Sequence, residues 1–304
     1  MDINRLQLLR ELAERGSVTA VALATRRTAS AVSQQLKILE REAGIALTER
    51  AGRGIVLTSA GRELARTATD VATAIERAEA LWADFRAQPR GEVTLTTFAT
   101  GGQMLLPGLL TAANEIAGLV LHCSDIDSQD KLLAEHTADF DIVIADSPGV
   151  LPDWKKRRLT VVELLREPLD IALPVGHPLG AKAVLRPADL IDSVWIGVPA
   201  GQPFDRVLRG IEAVNGTPAR IAQRIGNNEI VEALVAAGHG IAILPRYTTG
   251  DRENGLITRP LDGVRATRLI SALARPDRAE RPSVRAVLDA LKTEAHRFAA
   301  QHPA

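Results

Sequence analysis

The sequence predicts an α/β protein in which an all-α winged helix-turn-helix precedes a two-lobed α/β segment. Three observations carry this. Apolar residues fall at helical spacing in 28–43, a 3.5-residue apolar repeat runs through 59–88, and strands alternate with helices from residue 92 onward. At 304 residues the chain has room for one small domain and a larger bilobal one. With 46% hydrophobic and only 3% aromatic residues, its cores must be built from Ala, Leu, Val and Ile.

The elements follow in order. A first helix over 3–15 turns Leu6, Leu9 and Ala13 inward; Gly16 stops it and Ser17 caps a second helix over 18–25. Thr28 then caps a third, in which Val32, Leu36 and Leu39 recur at i, i+4 and i+7. Its opposite face carries Ser30, Ser33, Gln34 and Lys37, side chains of the kind that reach base edges and phosphates from a major groove. Arg26 and Arg27 sit in the preceding turn, where phosphates would lie. Two short strands within 47–57 flank a Gly/Arg tip, a hairpin whose Arg50 and Arg53 suit a minor groove.

Charge agrees with this placement. Residues 1–66 hold eleven Lys/Arg against seven Asp/Glu, whereas the whole chain has 37 of each. The positive excess is therefore concentrated where a phosphate backbone would be met, and double-stranded DNA is the expected partner. A merely solvated polar helix face is the plainer alternative.

From 59 to 88 the chain lacks Gly and Pro apart from Gly61, and Leu64, Ala68, Val71, Ile75, Ala78, Trp82 and Phe85 alternate at steps of four and three. Such a stripe predicts a helix that pairs with a second copy, giving a homodimer that presents two recognition helices. A single amphipathic helix packed on its own body is the alternative.

Beyond it, strands are expected at 92–98, 119–124 and 140–145, with helices at 105–116 and 128–138. A second unit follows, with strands at 169–174, 194–198, 220–225 and 241–244 and helices at 204–214 and 228–237. A strand at 268–274 and a helix at 283–300 return to the first unit. The expected division is 1–58, a linker helix 59–88, and 89–304 as lobe I (91–162 and 266–300) and lobe II (163–265), with parallel sheets and crossings near 159–165 and 263–268. Lobes of this kind bind small molecules in the cleft between them.

Catalysis finds little support. The chain has no P-loop pattern, no G-x-S-x-G and no histidine pair at metal spacing, and His177-Pro178 reads as a turn. Cys123 is the only cysteine, which excludes an intramolecular disulfide; in its strand it reads as a small buried residue. No apolar run reaches membrane-spanning length and the first residues lack the form of a signal peptide, so a cytoplasmic protein is expected, with no cofactor, metal or catalytic residue.

Along nearly its full length the chain resembles the LysR-type transcriptional regulators. The first half shows this in Gly16-Ser17-Val18, Ala31-Val32-Ser33-Gln34, Leu39-Glu40, Gly44, Glu49-Arg50 and Leu57-Thr58 with Gly61. The second half shows it in Leu105-Leu106-Pro107, Asp139-Phe140-Asp141-Ile142, Glu167-Pro168-Leu169, Gly176-His177-Pro178-Leu179 and the run from Val235 to Pro245. Two positions depart from the pattern: Thr25 replaces a leucine and Thr48 an aromatic residue, each costing roughly 1 kcal/mol of apolar burial if inside.

The resemblance implies a regulator with a periplasmic-binding-protein-like effector domain, a pseudo-palindromic operator and a homodimer that can pair into a homotetramer. It points to Thr100, Gly101, Ser128, Pro199, Gly201, Phe204 and Asn227 as effector contacts. Hydroxyls and free N–H groups at helix N-termini suit a carboxylate-bearing metabolite. Asp125, Asp127 and Asp130 crowd the same edge; as ligand contacts rather than helix caps they would favour an amino acid or an amine. The competing readings are a metabolite-binding protein or enzyme with a vestigial DNA module, and a largely unspecific DNA binder.

Overall fold

Side-chain caps set the N-terminal helices. The Asp2 carboxylate accepts the Asn4 and Arg5 N–H groups at 2.8 and 3.2 Å to start α1 (Ile3–Arg15), which ends at Gly16 in the left-handed region, φ 68°. Ser17 caps α2 (Val18–Ala24), Thr28 caps α3 (Ala29–Ala43), and Gly44 closes it at φ 70°. Val32, Leu36 and Leu39 meet Leu8, Leu9, Leu12 and Val21 in one small core. Ala13 is exposed, contrary to expectation: Leu8 and Leu12 take the inward places because α1 is covered on one side by α3 and on another by a later helix. Neither threonine departure leaves a polar group stranded. The Thr25 hydroxyl donates to the Val21 carbonyl at 2.7 Å, and the Thr48 hydroxyl to Glu40 Oε1 at 2.9 Å.

The computed structural model describes residues 1–51, 54–85, 91–126, 133–250 and 252–302, apart from the side chains of 83–85 and 252. β1 (Thr48–Ala51) and β2 (Gly54–Leu57) pair antiparallel as the hairpin. α4 (Ser59–Phe85) follows at once, and its first turn presses on the end of the hairpin. A Cβ at Gly61 would lie 2.0 Å from the Leu47 carbonyl oxygen, a backbone atom that cannot step aside. Gly61→Ala is therefore expected to destabilise the N-terminal domain by about 1–3 kcal/mol, read as a lower helix-melting midpoint; an unchanged midpoint would show that α4 can shift freely.

Lobe I holds β3 (Gly91–Thr97), α5 (Ala99–Asn114), β4 (Leu119–Asp125), a 3₁₀ turn Leu133–Ala138, β5 (Ile142–Ser147) and the short α6 (Pro152–Lys156). The expected helix over 128–138 falls partly outside the described residues. α5 begins six residues before its expected start, because Gly101 and Gly102 are helical. Without side chains they let α5 close on the strand end: a Cβ at Gly101 would come within 2.8 Å of the Phe98 ring.

β6 (Thr160–Pro174) is one strand of 15 residues running from lobe I into lobe II. Lobe II adds β7 (Val194–Gly197), α7 (Pro203–Asn215), β8 (Arg220–Arg224), α8 (Asn228–Ala236), β9 (Ala242–Pro245) and β10 (Leu256–Arg259). β11 (Thr267–Ala274) then returns, followed by α9 (Pro276–Ala279) and α10 (Pro282–Gln301). β3 is parallel to β4 and β5, but β6 and β11 run antiparallel to each other and β11 antiparallel to β5. The lobe I sheet is thus mixed, where a parallel one was expected, because one crossing strand leaves the lobe and the other comes back. Separate apolar cores fill the lobes, around Leu95, Leu105, Ile144 and Val287 in one and Ile171, Trp195, Leu208 and Ile243 in the other.

The N-terminal domain is seated on lobe I through buried charge. Arg10 Nη1 donates to Asp277 at 2.9 Å and Arg275 Nη1 to Glu11 at 3.0 Å, while Arg275 Nε also reaches Asp277 at 3.3 Å. All four residues are buried. Around them, Arg15 bonds Asp139 and the Ala138 carbonyl, Arg158 pairs with Asp70 and Arg77 with Glu280. α4 is held between α1 and α9. Its apolar stripe is divided accordingly: Leu64 packs against the N-terminal core, Ala68 is buried, Val71 and Ile75 are half-buried beside Ile3 and Leu6, and Ala78 and Trp82 are exposed. The Phe85 side chain lies outside the described residues. Part of the stripe expected to meet a second copy is therefore used within the chain.

Candidate functional site

Two sites emerge, one on α3 and one between the lobes. The turn before α3 places Arg26 at φ 53°, a left-handed backbone uncommon for a side chain of this size. Arg26, Arg27, Thr28, Ser30, Gln34 and Lys37 are all exposed on one side of the domain, with Ser33 half-buried among them. Arg50 is exposed on the hairpin, and Arg53 lies outside the described residues. Arg26, Arg27, Lys37 and Arg50 have no ion-pair partner among the described residues, so their charges face solvent rather than a carboxylate. Glu40 serves another purpose: its Oε1 accepts the N–H groups of Leu47 and Thr48 at 2.9 and 2.8 Å, tying α3 to the hairpin.

The second site is a cavity of about 340 Å³ between the lobes. The N-termini of α5, α7 and α8 converge on it. Those of α5 and α7 have no capping side chain among the described residues, which leaves the first N–H groups of α5 available and, in α7, that of Phe204, since Pro203 has none and Asp205 donates to the Gln202 carbonyl; Asn227 caps α8 by accepting from Ile230. Arg268, at the cleft end of β11, is its only described basic lining residue. Its Nε donates to Glu167 at 2.7 Å, Nη2 to the Thr100 hydroxyl at 2.7 Å and Nη1 to Asp146 at 3.3 Å. The rings of Phe98 and Phe204 lie over the guanidinium with centroids 5.1 and 5.4 Å away. Glu167 is fully buried and also accepts the Tyr247 N–H.

Acid dominates the remaining wall. Glu229 and Glu232 line it from α8, and Glu232 accepts the Gly250 N–H at 3.1 Å. Burial, reinforced by Glu229, pushes the Glu232 carboxyl up. The buried Thr248 hydroxyl oxygen beside them has no partner among the described residues.

Of the expected effector contacts, Thr100, Phe204 and Asn227 do line this cavity. Gly101, Pro199 and Gly201 do not. Gly101 is consumed in packing against Phe98; the Pro199 carbonyl accepts the Gln202 N–H; and the Gly201 N–H donates to Asp205, which Arg224 holds in place. Ser128, Asp127 and Asp130 lie outside the described residues, and Asp125 ends β4 in an exposed position. Arg268, Asp146 and Glu232 were not anticipated. The only signal was that residue 268 closes the second expected crossing.

Residues 3–62 match the family profile described as bacterial regulatory helix-turn-helix protein, lysR family, and residues 86–296 match the LysR substrate binding domain. The chain belongs to the LysR family. It is a LysR-type DNA-binding transcriptional regulator with an effector-binding domain. Among curated relatives it is 25% identical to the HTH-type transcriptional regulator CbbR of Xanthobacter flavus, over 99% of this chain and 90% of that one. Among solved structures, this LysR-type chain resembles full-length OxyR from Pseudomonas aeruginosa, with a TM-score of 0.65 at 19% identity, covering 96% of this chain and 95% of that one. CbnR in complex with its target DNA gives a TM-score of 0.54 at 21% identity, with 97% and 100% covered. At these identities the structural likenesses speak for the fold.

Proposed function

We propose that the protein is a sequence-specific regulator, not an enzyme, that acts in the cytoplasm as a homodimer or homotetramer. In this reading a small molecule held between its lobes changes how it grips DNA. The observation that carries this is the exposed polar face of α3, flanked by arginines and a lysine that no carboxylate among the described residues neutralises. The similar CbnR, solved on its target DNA, supports DNA as the partner. Pairing of two copies through the exposed end of α4, where Leu81 stands clear of the body, would present two recognition helices to two half-sites. The effector carries a carboxylate that meets the uncapped N-termini of α5 and α7.

A gel-shift and footprint on the DNA upstream of its own coding region, across a salt series and a metabolite panel, tests the reading. Affinity is expected to fall steeply with salt. Lys37→Ala should weaken all sequences alike and lower the salt slope by about 1, whereas Ser33→Ala or Gln34→Ala should relax base preference. Identical behaviour of the three variants would overturn the assignment of the α3 face. Metabolite turnover with no effect on DNA would favour the enzymatic alternative.

A further inference from the structure

We propose that the effector of this cleft is an amino compound, and that its ammonium group sits between the carboxylates of Glu232 in lobe II and Asp146 in lobe I. This rests on the reading of the cleft as the effector site and names the chemistry it selects.

The charge on the wall is the first argument. Among the described lining residues Asp146, Glu229 and Glu232 are acidic and Arg268 alone is basic. Arg268 looks at first like a receptor for a ligand carboxylate. Its Nε, Nη2 and Nη1, however, already donate to Glu167, Thr100 and Asp146, and phenylalanine rings lie against it. Turning it toward a ligand would strand the fully buried Glu167, a costly exchange. What remains for the ligand is net negative.

The second argument concerns Glu232. It is half-buried and, among the described residues, its one hydrogen-bond partner is the backbone N–H of Gly250; no lysine or arginine stands near it in the described wall. A carboxylate removed from water without a cation is poorly stabilised, and a ligand ammonium would supply the missing charge.

Closure of the lobes supplies the third. Asp146, which shares the Arg268 cation with Glu167, approaches from β5 and Glu232 from α8, so a closing cleft would bring an excess of negative charge together in a medium of lower dielectric. A ligand shifts such an equilibrium only by binding the closed form better than the open one. A cation between the two carboxylates does this, whereas a plain dicarboxylate adds to the repulsion. The uncapped N-termini of α5 and α7 take the other end of a zwitterion, so an amino acid matches both walls.

Thermal-shift and calorimetric titrations of the full chain test this with the standard L-amino acids, each beside its 2-oxo acid, together with 1,4-diaminobutane, succinate and magnesium chloride. At least one amino compound is expected to bind saturably, with its amine-free counterpart about tenfold weaker or more. Glu232→Gln keeps the acceptor for Gly250 and removes only the charge; it should weaken that ligand by about tenfold, while Asp192→Asn, an exposed carboxylate outside the cleft, should not. Binding of diaminobutane alone would support the ammonium site and overturn the carboxylate contact. A 2-oxo acid, succinate or magnesium binding as tightly as the best amino compound, or an unaltered Glu232→Gln, would overturn the inference and leave the cleft as effector site. Saturation by nothing in the panel would overturn both.

Discussion

Replacing Asp277 with alanine is expected to weaken the seating of the DNA-binding domain on lobe I by about 3–5 kcal/mol, the cost of breaking a buried pair by removing one partner. Asp277 accepts from both Arg10 and Arg275, which are 7% and 3% exposed. Without it Arg10 keeps no ion-pair partner among the described residues and Arg275 keeps only Glu11, and Arg10 Nε is already without a partner among those residues. Loss of hydrogen-exchange protection in 275–281 and a lower urea midpoint would report the effect; an unchanged midpoint would mean that the interface is open in solution. The paired change Arg10→Met with Asp277→Leu should cost far less, because it removes the charges together.

Acid should have a related effect. Burial pushes the carboxyls of Glu11 and Asp277 up, but the Arg275 guanidinium, helped by Arg15 at the first and Arg10 at the second, outweighs it and holds both below the usual carboxylate range. Their folded values are depressed, so their contribution is fully present above the unfolded carboxylate range, about pH 4, and is lost as pH falls through the folded values. The interface should therefore loosen on acidification below that range. Asp277→Asn should flatten the change, and an equally steep acid transition in that variant would place its origin elsewhere.

The DNA-binding half was legible because its determinants are local. Ser17, Thr28, Gly16 and Gly44 cap helices within a few residues of themselves, and Val32, Leu36 and Leu39 declare their face by spacing alone. The cleft was legible only in part, since its key contacts join distant positions: Arg268 meets Glu167 across 101 residues and Thr100 across 168. No periodicity records such a pairing. Gly101 and Gly102 misled in the opposite direction. As glycines they suggest a loop, yet they are what allows α5 to close on Phe98 and Thr97 at the strand end. β10 and α9 were missed because four residues apiece are too few for a period to show, although α9 carries Asp277. The α4 repeat was read as one pairing seam, but α1 and α9 claim its first half.

Arg268→Ala is expected to cost about 3–5 kcal/mol for the same electrostatic reason as Asp277→Ala, since it leaves the fully buried Glu167 without its cation. Its functional consequence should reach further. Arg268 stands at the cleft end of β11 and Arg275 follows the last residue of that strand, so one continuous strand, paired with β5 and β6 on either side, connects the ligand site to the seat of the DNA-binding domain. Ligand that moves Arg268 or its partners acts on a rigid strand whose far end carries half of the buried charge cluster. In Arg268→Ala the ligand-dependent change in the DNA footprint should disappear while the α3 contacts to DNA persist. Arg268→Lys, which keeps the charge but loses the planar fork, should fall between the two. The decisive reading is hydrogen exchange in 275–281 with and without ligand. Protection that responds to ligand in the wild type and not in Arg268→Ala places the coupling in β11, and protection that responds equally in both removes the strand from the path between cleft and DNA.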